Sequence, residues 1–431
     1  MDNDGDGWTD QDGDCADDDP DIHPGAQDDD CNGRDDDCDG LFDEDRPAPA
    51  GLLPGEWTEA DMYGSVLAQD ASWGFWSVAP AGGAKSAKIV ASAGYGDGPG
   101  DYALYEGVAT YTLPSCPGNR DPERRSAFVH GGHPHPPLDA NGDCVPDQRI
   151  GNAIVLGPLE GEYTEADVQI AFLSEVYDVA TGDLDSDGDA DLVGVSDEWT
   201  AFWSGPLGAL LTLDDAVLVP HGQSDDIWRP GITVVTPPGQ EPVTLSGRTG
   251  WYDGGVSYVN GMPDAGQTSP DGELDLSPWY SVEGHSWGAL LQSNGGERVC
   301  LGRVRFTDHE TQVCGTWSQL LQGTEEVIAE TNGDSGVDLT SKLIAVGTPE
   351  GVWWGSSYRE QIRVFDSSGL QWTITCEGVG CSAFYWGASV ALVEDPRWSH
   401  ITWLVTVGID GVQGPPHAPA LHFFALDTST L

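Results

Sequence analysis

Between Gly182 and Gly194 the chain reads GDLDSDGDADLVG, so an acidic loop runs straight into an apolar strand. Carboxylates stand at Asp183, Asp185, Asp187, Asp189 and Asp191, Gly188 takes the sharpest bend, and Leu192 and Val193 open the strand. Side-chain oxygens at the first, third and fifth loop positions, a carbonyl at the seventh and a carboxylate at the ninth can surround one calcium ion, which takes six to eight oxygen ligands. That assigns the ion to Asp183, Asp185, Asp187, the carbonyl of Asp189, and Asp191. A solvated acidic turn is the bland alternative, but solvation does not require Asp at every second position with Gly at the sixth.

Composition narrows the fold around this loop. Gly 58 and Pro 29 in 431 residues, with almost no long polar periodic segment, predict many short strands and turns, hence an all-β chain. Lys and Arg total 17 against 72 Asp and Glu, a formal charge of -55 that repels a phosphate backbone and an anionic membrane surface alike. Nucleic acid is therefore excluded as a partner. A halophile's solvated surface also fits so acidic a chain, yet the aspartates cluster at ligand spacing, which solvation does not demand. The longest apolar run, Ala383 to Val393, falls well short of the roughly 20 residues that span a bilayer, so no transmembrane segment is expected. No signal peptide precedes Asp2, and Met1 enters directly at a loop ligand, so the chain reads as a piece of a longer exported protein.

Cysteine usage points to an oxidising compartment, with 9 cysteines, several closely spaced. A hairpin turning at Thr307 would set Cys300 opposite Cys314; Cys376 and Cys381 can close a small loop, and Cys116 can reach Cys144. That leaves Cys15, Cys31 and Cys38, an odd set, with buried free thiols as the alternative.

Residues 1–46 are far more acidic than the rest and carry only Arg34 and Arg46 as cations, so they collapse only if metal ions neutralise them. Asp2, Asp4, Asp6 and Asp10 with the carbonyl of Trp8 repeat the loop spacing, as do Asp35, Asp37, Asp39 and Asp43 with the carbonyl of Leu41; Asp17, Asp19 and Asp21 give a weaker copy. None has a clear Glu at the twelfth position, which separates them from EF-hands. From Gly13 to Asp45 the sequence GDCADDDPDIHPGAQDDDCNGRDDDCDGLFDED resembles the Cys-rich metal-binding motif of secreted MopE-like bacterial proteins. The copper role known in that family would direct attention to Trp8 and His23, but all-oxygen loops prefer calcium over copper. Residues 47–51 then read as a stiff Pro-Ala linker.

From residue 52 to 431 the chain repeats itself. GEWTEAD at Gly55 returns as GEYTEAD at Gly161, and more loosely as GALLTLDD at Gly208 and GELDLSP at Gly272, a period near 50 residues. WGFWSVA at Trp73, WGALLQS at Trp287 and WGASVAL at Trp386 form a second phrase, and strand–turn–strand runs occur at Leu192–Gly205 and Leu343–Gly355. Four strand-like runs per unit at this period predict radial repetition in a β-propeller. The phrases resemble the FG-GAP repeats of integrin-type propellers: Trp-Gly pairs at Trp73, Trp287 and Trp386 stand for the first signature, and Gly347, Thr348 and Pro349 for the second. Two further loops fit that resemblance, one from Asp139, Asn141, Asp143, the carbonyl of Val145, and Asp147, the other from Glu330, Asn332, Asp334 and Asp338. Elsewhere ligands are missing, as in Glu394 to Thr402 with Pro396, Arg397 and Trp398. One loop per unit near residues 80, 139, 183, 236, 292, 330 and 393 gives about seven blades, behind a small, disulfide-rich, loop-dominated calcium segment.

The 17 Trp side chains are expected as wedges between blades. His130, His133 and His135 sit in a Pro-rich loop that can offer a zinc or copper ion nitrogen ligands, though an exposed loop is the simpler reading. No GxSxG elbow or HExxH pair occurs, so no catalytic residue is assigned. The favoured function is a calcium-stabilised secreted or cell-surface binding and adhesion module meeting an extracellular protein or glycan. A hydrolase or polysaccharide lyase scaffold and a copper- or metal-sequestering surface protein are the alternatives.

Overall fold

The computed structural model describes residues 3–27, 35–39, 47–66, 73–81, 87–95, 104–113, 118–120, 127–130, 138, 140–142, 147–150, 153–157, 161–172, 176, 178–196, 198–220, 232–235, 241–248, 255–275, 280–285, 288–295, 298–304, 311–315, 337–339, 343–348, 361–366, 369–376, 386–387, 389–409 and 419–431. Among them every element is a strand or a single 3-10 turn, so the all-β expectation holds.

The described strands assemble into seven sheets, numbered here by their first strand. Sheet I holds Trp73–Ala81, Lys88–Tyr95, Leu104–Thr112 and Ala127–His130; sheet II holds Gln148–Ile150, Ala153–Val155 and Ile170–Phe172. Sheet III holds Asp178–Gly182, Asp191–Val195, Trp199–Trp203 and Val217–Pro220, and sheet IV Ile232–Val235, Val243–Arg248, Gly255–Asn260 and Gly272–Asp275. Sheet V holds Tyr280–His285, Gly288–Gly295, Arg298–Val304 and Thr311–Gly315, and sheet VI Val337–Leu339, Ile344–Thr348, Gln361–Asp366 and Gly369–Thr375. Sheet VII joins Val390–Glu394, Ile401–Ile409 and Pro419–Asp427 to Gly64–Val66 from the other end of the sequence, with Gly64 opposite Phe423. First strands of successive sheets touch between III and IV, IV and V, VI and VII, and VII and I. Antiparallel sheets in chain order, first strands adjacent and the last sheet completed by an early strand, are the connectivity of a β-propeller.

The phrase that repeats as GEWTEAD has a definite job in this architecture. Gly55–Thr58, Gly161–Tyr163 and Leu210–Leu211 each add a short parallel strand to the edge of the preceding sheet, VI, I and II respectively. A 3-10 turn follows each, at Glu59–Asp61, Glu165–Asp167 and Leu213–Asp215. The hydroxyls of Thr58, Thr164 and Thr212 donate to the carboxylates of Asp61, Asp167 and Asp215, so Thr-x-x-Asp closes the turn before the chain returns to its own sheet. The repeat thus stitches neighbours together.

The core lies between sheets, because strands buried on both faces send alternate side chains to different neighbours. In Ile401–Ile409, Trp403, Val405 and Val407 pack toward sheet I against Phe75, Ile89 and Tyr111, while Leu404 packs toward sheet VI with Trp372 and Ile374. Sheet III does the same: Leu192, Ala201 and Trp203 meet Ile154, Ile170 and Phe172 of sheet II, and Val193, Val195 and Phe202 meet Ile232 and Val259 of sheet IV. Tryptophans do fill such wedges: Trp203, Trp372 and Trp403 are fully buried, and their indole N–H groups donate to Thr212 O, Leu52 O and Asp395 Oδ2.

Some expectations land elsewhere. The arginine and threonine ends of sheet V do form a hairpin, with Val304 opposite Thr311, but a register shift brings Leu301 opposite Gly315, so Cys300 and Cys314 are not register partners. Cys15 is bonded to Cys38, and Cys376 is disulfide-bonded. Cys31, Cys116, Cys144 and Cys381 lie outside the described residues, as do residues 349–355 of the strand–turn–strand run expected at Leu343–Gly355.

Candidate metal centre

In sheet III the loop from Asp183 to Ala190 turns the chain from the first strand into the second, with Gly182 opposite Asp191 at its base. Each alternate aspartate accepts from the backbone two residues on: Asp187 N donates to Asp185 Oδ1 at 3.2 Å, and Asp189 N to Asp187 Oδ1 at 2.9 Å. These turns draw the side chains to one side, and the backbone obliges with left-handed φ at Ser186 and Gly188. As a result Asp183, Asp185 and Asp187 each bring a ligand atom within 4.8 Å of the others. An all-carboxylate set of this kind suits a hard cation such as calcium.

The remaining two expected ligands of this loop are placed differently. Asp189 is exposed, and Asp191 is buried with both oxygens accepting backbone N–H groups: Oδ2 from Leu184 at 2.6 Å and Oδ1 from Gly205 at 2.8 Å. Burial pushes the Asp191 carboxyl up, the two N–H donors pull it down, and the Asp185 charge adds to the rise. Asp147 of sheet II repeats the arrangement, taking Ala140 N on Oδ2 and Gly157 N on Oδ1, both at 2.7 Å. The ninth loop residue therefore pins the loop to the exit of the second strand that follows it. Gly205 is required there, since a Cβ would lie 2.6 Å from Ala190 O.

The other expected ligands are scattered over several settings. Asn141 is exposed beside Gly142, whose φ is left-handed at the loop position that Ser186 fills in sheet III; Asp139, Asp143 and Val145 lie outside the described residues. Asp338 is a strand residue opposite Ala345, whereas Glu330, Asn332 and Asp334 lie outside the described residues. In the first segment Asp35, Asp37 and Asp39 converge as a second acidic group, while Asp2, Leu41 and Asp43 are not described. Asp4 and Asp6 converge with Asp14, a residue outside the expected set, rather than with Asp10. Asp10 and Asp21 are exposed, Asp17 and Asp19 half-buried, and the half-buried Trp8 stacks on His23 with ring centroids 6.3 Å apart. His130 ends the last long strand of sheet I opposite Gly107; His133 and His135 are not described.

Sheet VII shows what the same hairpin position does without a metal loop. Its turn begins at Asp395, whose buried carboxylate accepts from Arg397 Nε at 2.9 Å and NH2 at 2.8 Å, and from Trp403 Nε1 at 2.7 Å. Beside the loops of sheets II and III, a cleft of about 310 Å³ is lined by Asn141, Gln169 and Asp189 with Leu156, Ile170 and Leu207.

No family model matches this sequence, and no curated protein matches it. Solved structures with some likeness include a subtype N11 neuraminidase-like protein of an influenza virus from a flat-faced bat in Peru, at 10% identity and TM-score 0.37, covering 89% of this chain and 98% of that one. The Dos1 propeller gives 7% identity and TM-score 0.40 over 88% and 95%, and the Vibrio cholerae biofilm matrix protein Bap1 8% and 0.28 over 88% and 70%. Likenesses this weak carry no argument about this chain; its fold rests on its own strand pairing.

Proposed function

We propose that this chain is a calcium-stabilised extracellular binding module, a seven-bladed propeller whose acidic hairpin loops hold calcium and whose rim meets a protein or glycan. The observation that supports it most is the convergence of Asp183, Asp185 and Asp187 at a hairpin tip above a pinned Asp191. Such a loop has a fixed base and a cation-seeking mouth, the combination expected where ion binding stiffens a rim. The FG-GAP and MopE-like resemblances read from the sequence agree with this reading, and the net charge of -55 and the cross-linked cysteines suit an exported chain. The cleft between the loops of sheets II and III, with amide and carboxylate groups above an apolar floor, is the proposed place for the ligand.

Calorimetric titration of the chelator-treated protein with calcium tests the first half. Calcium should bind and raise the melting temperature, and Asp185→Asn should remove one equivalent; unchanged stoichiometry in that variant overturns the assignment. For the second half, binding to immobilised glycans and matrix proteins should depend on calcium and weaken in Gln169→Ala.

A further inference from the structure

We infer that Asp14, with Asp4 and Asp6, forms a divalent-cation site that organises the first segment. It rests on the calcium reading of the first segment and relocates the ion from the loop end at Asp10 to a buried residue next to the disulfide.

Three observations meet at this point. Asp4, Asp6 and Asp14 each present a ligand atom within 4.8 Å of the others. One oxygen of each, Oδ2 in all three, is buried and has no hydrogen-bond partner, and Asp17 Oδ1 is in the same condition. Asp14 is only 7% exposed. The opposite oxygens are already engaged, since Asp6 N donates to Asp4 Oδ1, Trp8 N to Asp6 Oδ1 and Ala16 N to Asp14 Oδ1. The backbone thus holds one oxygen of each carboxylate and turns the other inward.

A buried carboxylate oxygen with no hydrogen-bond partner is unfavourable unless a cation answers it. Cations are scarce in the segment, which has no lysine and only two arginines among its first 46 residues. Nor can apolar burial offset the cost, because Ile22 is the one buried apolar side chain among the described residues of this segment. Oxygen-only donors at this spacing select calcium, or manganese and magnesium, over copper and zinc. Location adds a consequence: Asp14 precedes Cys15, which is bonded to Cys38 beside Asp37 and Asp39, so the ion sits where the two acidic loops are tied.

Terbium, which replaces calcium and luminesces when excited through a nearby tryptophan, gives the test on the full chain. Trp8 is the antenna, held next to the site because its backbone N–H donates to Asp6 Oδ1. Asp14→Asn should lose one equivalent of calcium by calorimetry and at least tenfold in affinity at that site, with the Cys15–Cys38 bond intact by thiol titration. Asp10→Asn should lose neither, and Trp8→Phe should dim terbium emission without changing stoichiometry. Full stoichiometry in Asp14→Asn, or a lost equivalent in Asp10→Asn, overturns the inference. Asp185→Asn reports separately on sheet III, so one assignment can fail while the other stands.

Discussion

The hairpins of sheets III and VII occupy the same place in their sheets and solve the same electrostatic problem in opposite ways. In sheet VII the first loop residue, Asp395, is answered two residues later by Arg397, whose guanidinium makes two hydrogen bonds to it and lies 4.4 Å over the Trp398 ring. In sheet III the first loop residue, Asp183, is followed two residues later by Asp185, then Asp187, and the three converge. One loop carries its cation in the sequence; the other must recruit one. Stability should therefore be internal in sheet VII and conditional on the solution in sheet III.

The largest effect belongs to the internal cation. Asp395 has a fully buried side chain and Arg397 one that is 12% exposed, so removing either leaves an uncompensated buried charge, a loss of about 3–5 kcal/mol. Asp395→Ala also strips the acceptor from the Trp403 indole. Denaturant unfolding should show that loss equally in calcium and in chelator; a loss that appears only in chelator would break the comparison. The next effect is conditional. At ten times its dissociation constant a bound ion adds RT ln 11, about 1.4 kcal/mol. Asp185→Ala should lose that amount in calcium and become slightly more stable than the parent in chelator, because three like charges become two. A sharper test exchanges the solutions: Asp185→Arg puts a guanidinium two residues after Asp183, as Arg397 follows Asp395. Its melting temperature should no longer respond to calcium, and a retained response would show that the ion is held elsewhere.

How much of this was legible in the sequence follows from the range of each interaction. The acidic alternation from Asp183 to Asp187 is local, so spacing alone brought those residues together. The strand alternation of Leu192, Val193 and Trp203 is local too. The pinning role of Asp191 and Asp147 was not visible, because the second donor lies 14 residues away in one loop and 10 in the other, fixed only once three strands pair. GEWTEAD was found as a repeat, but its work of adding a strand to the preceding sheet is a pairing of Gly55 with Trp372, which no window along the chain contains. Loop anchors near 139, 183 and 393 match hairpins of the sheets, whereas 292 lies inside a strand of sheet V and 330 lies outside the described residues, ahead of the sheet VI pair Leu339 and Ile344. Asp14 continued a visible alternation through Asp10 and Asp12, but a nine-residue template stops short of it.

Acidity gives the smallest and most discriminating effect, because the two sheets hold carboxylates shifted in opposite directions. Near the sheet VII turn, Asp427 is held below the ordinary carboxylate range, first by the Ser429 hydroxyl, then by the Ser429 N–H and by His400. A lowered folded value means the ionised form is favoured by folding, so its contribution is present above the unfolded value and lost as pH falls through the folded one. Asp191 under the sheet III loop is raised, chiefly by burial, so its charge costs stability, and that cost disappears as pH falls from the raised value toward the ordinary carboxylate range. Acidification in chelator should therefore strengthen protection of the paired strand amides beside Asp191 in sheet III, before it weakens protection of the Ser429 amide that donates to Asp427. Hydrogen exchange followed by pH at single residues reads both. Asp427→Asn should flatten the second response and leave the first intact, and Asp185→Asn should shrink the first, since the Asp185 charge contributes to it. The Asp427 effect will be slight because the group is near solvent, so the sign and not the size is the test; a common sign in both sheets would end the contrast between them.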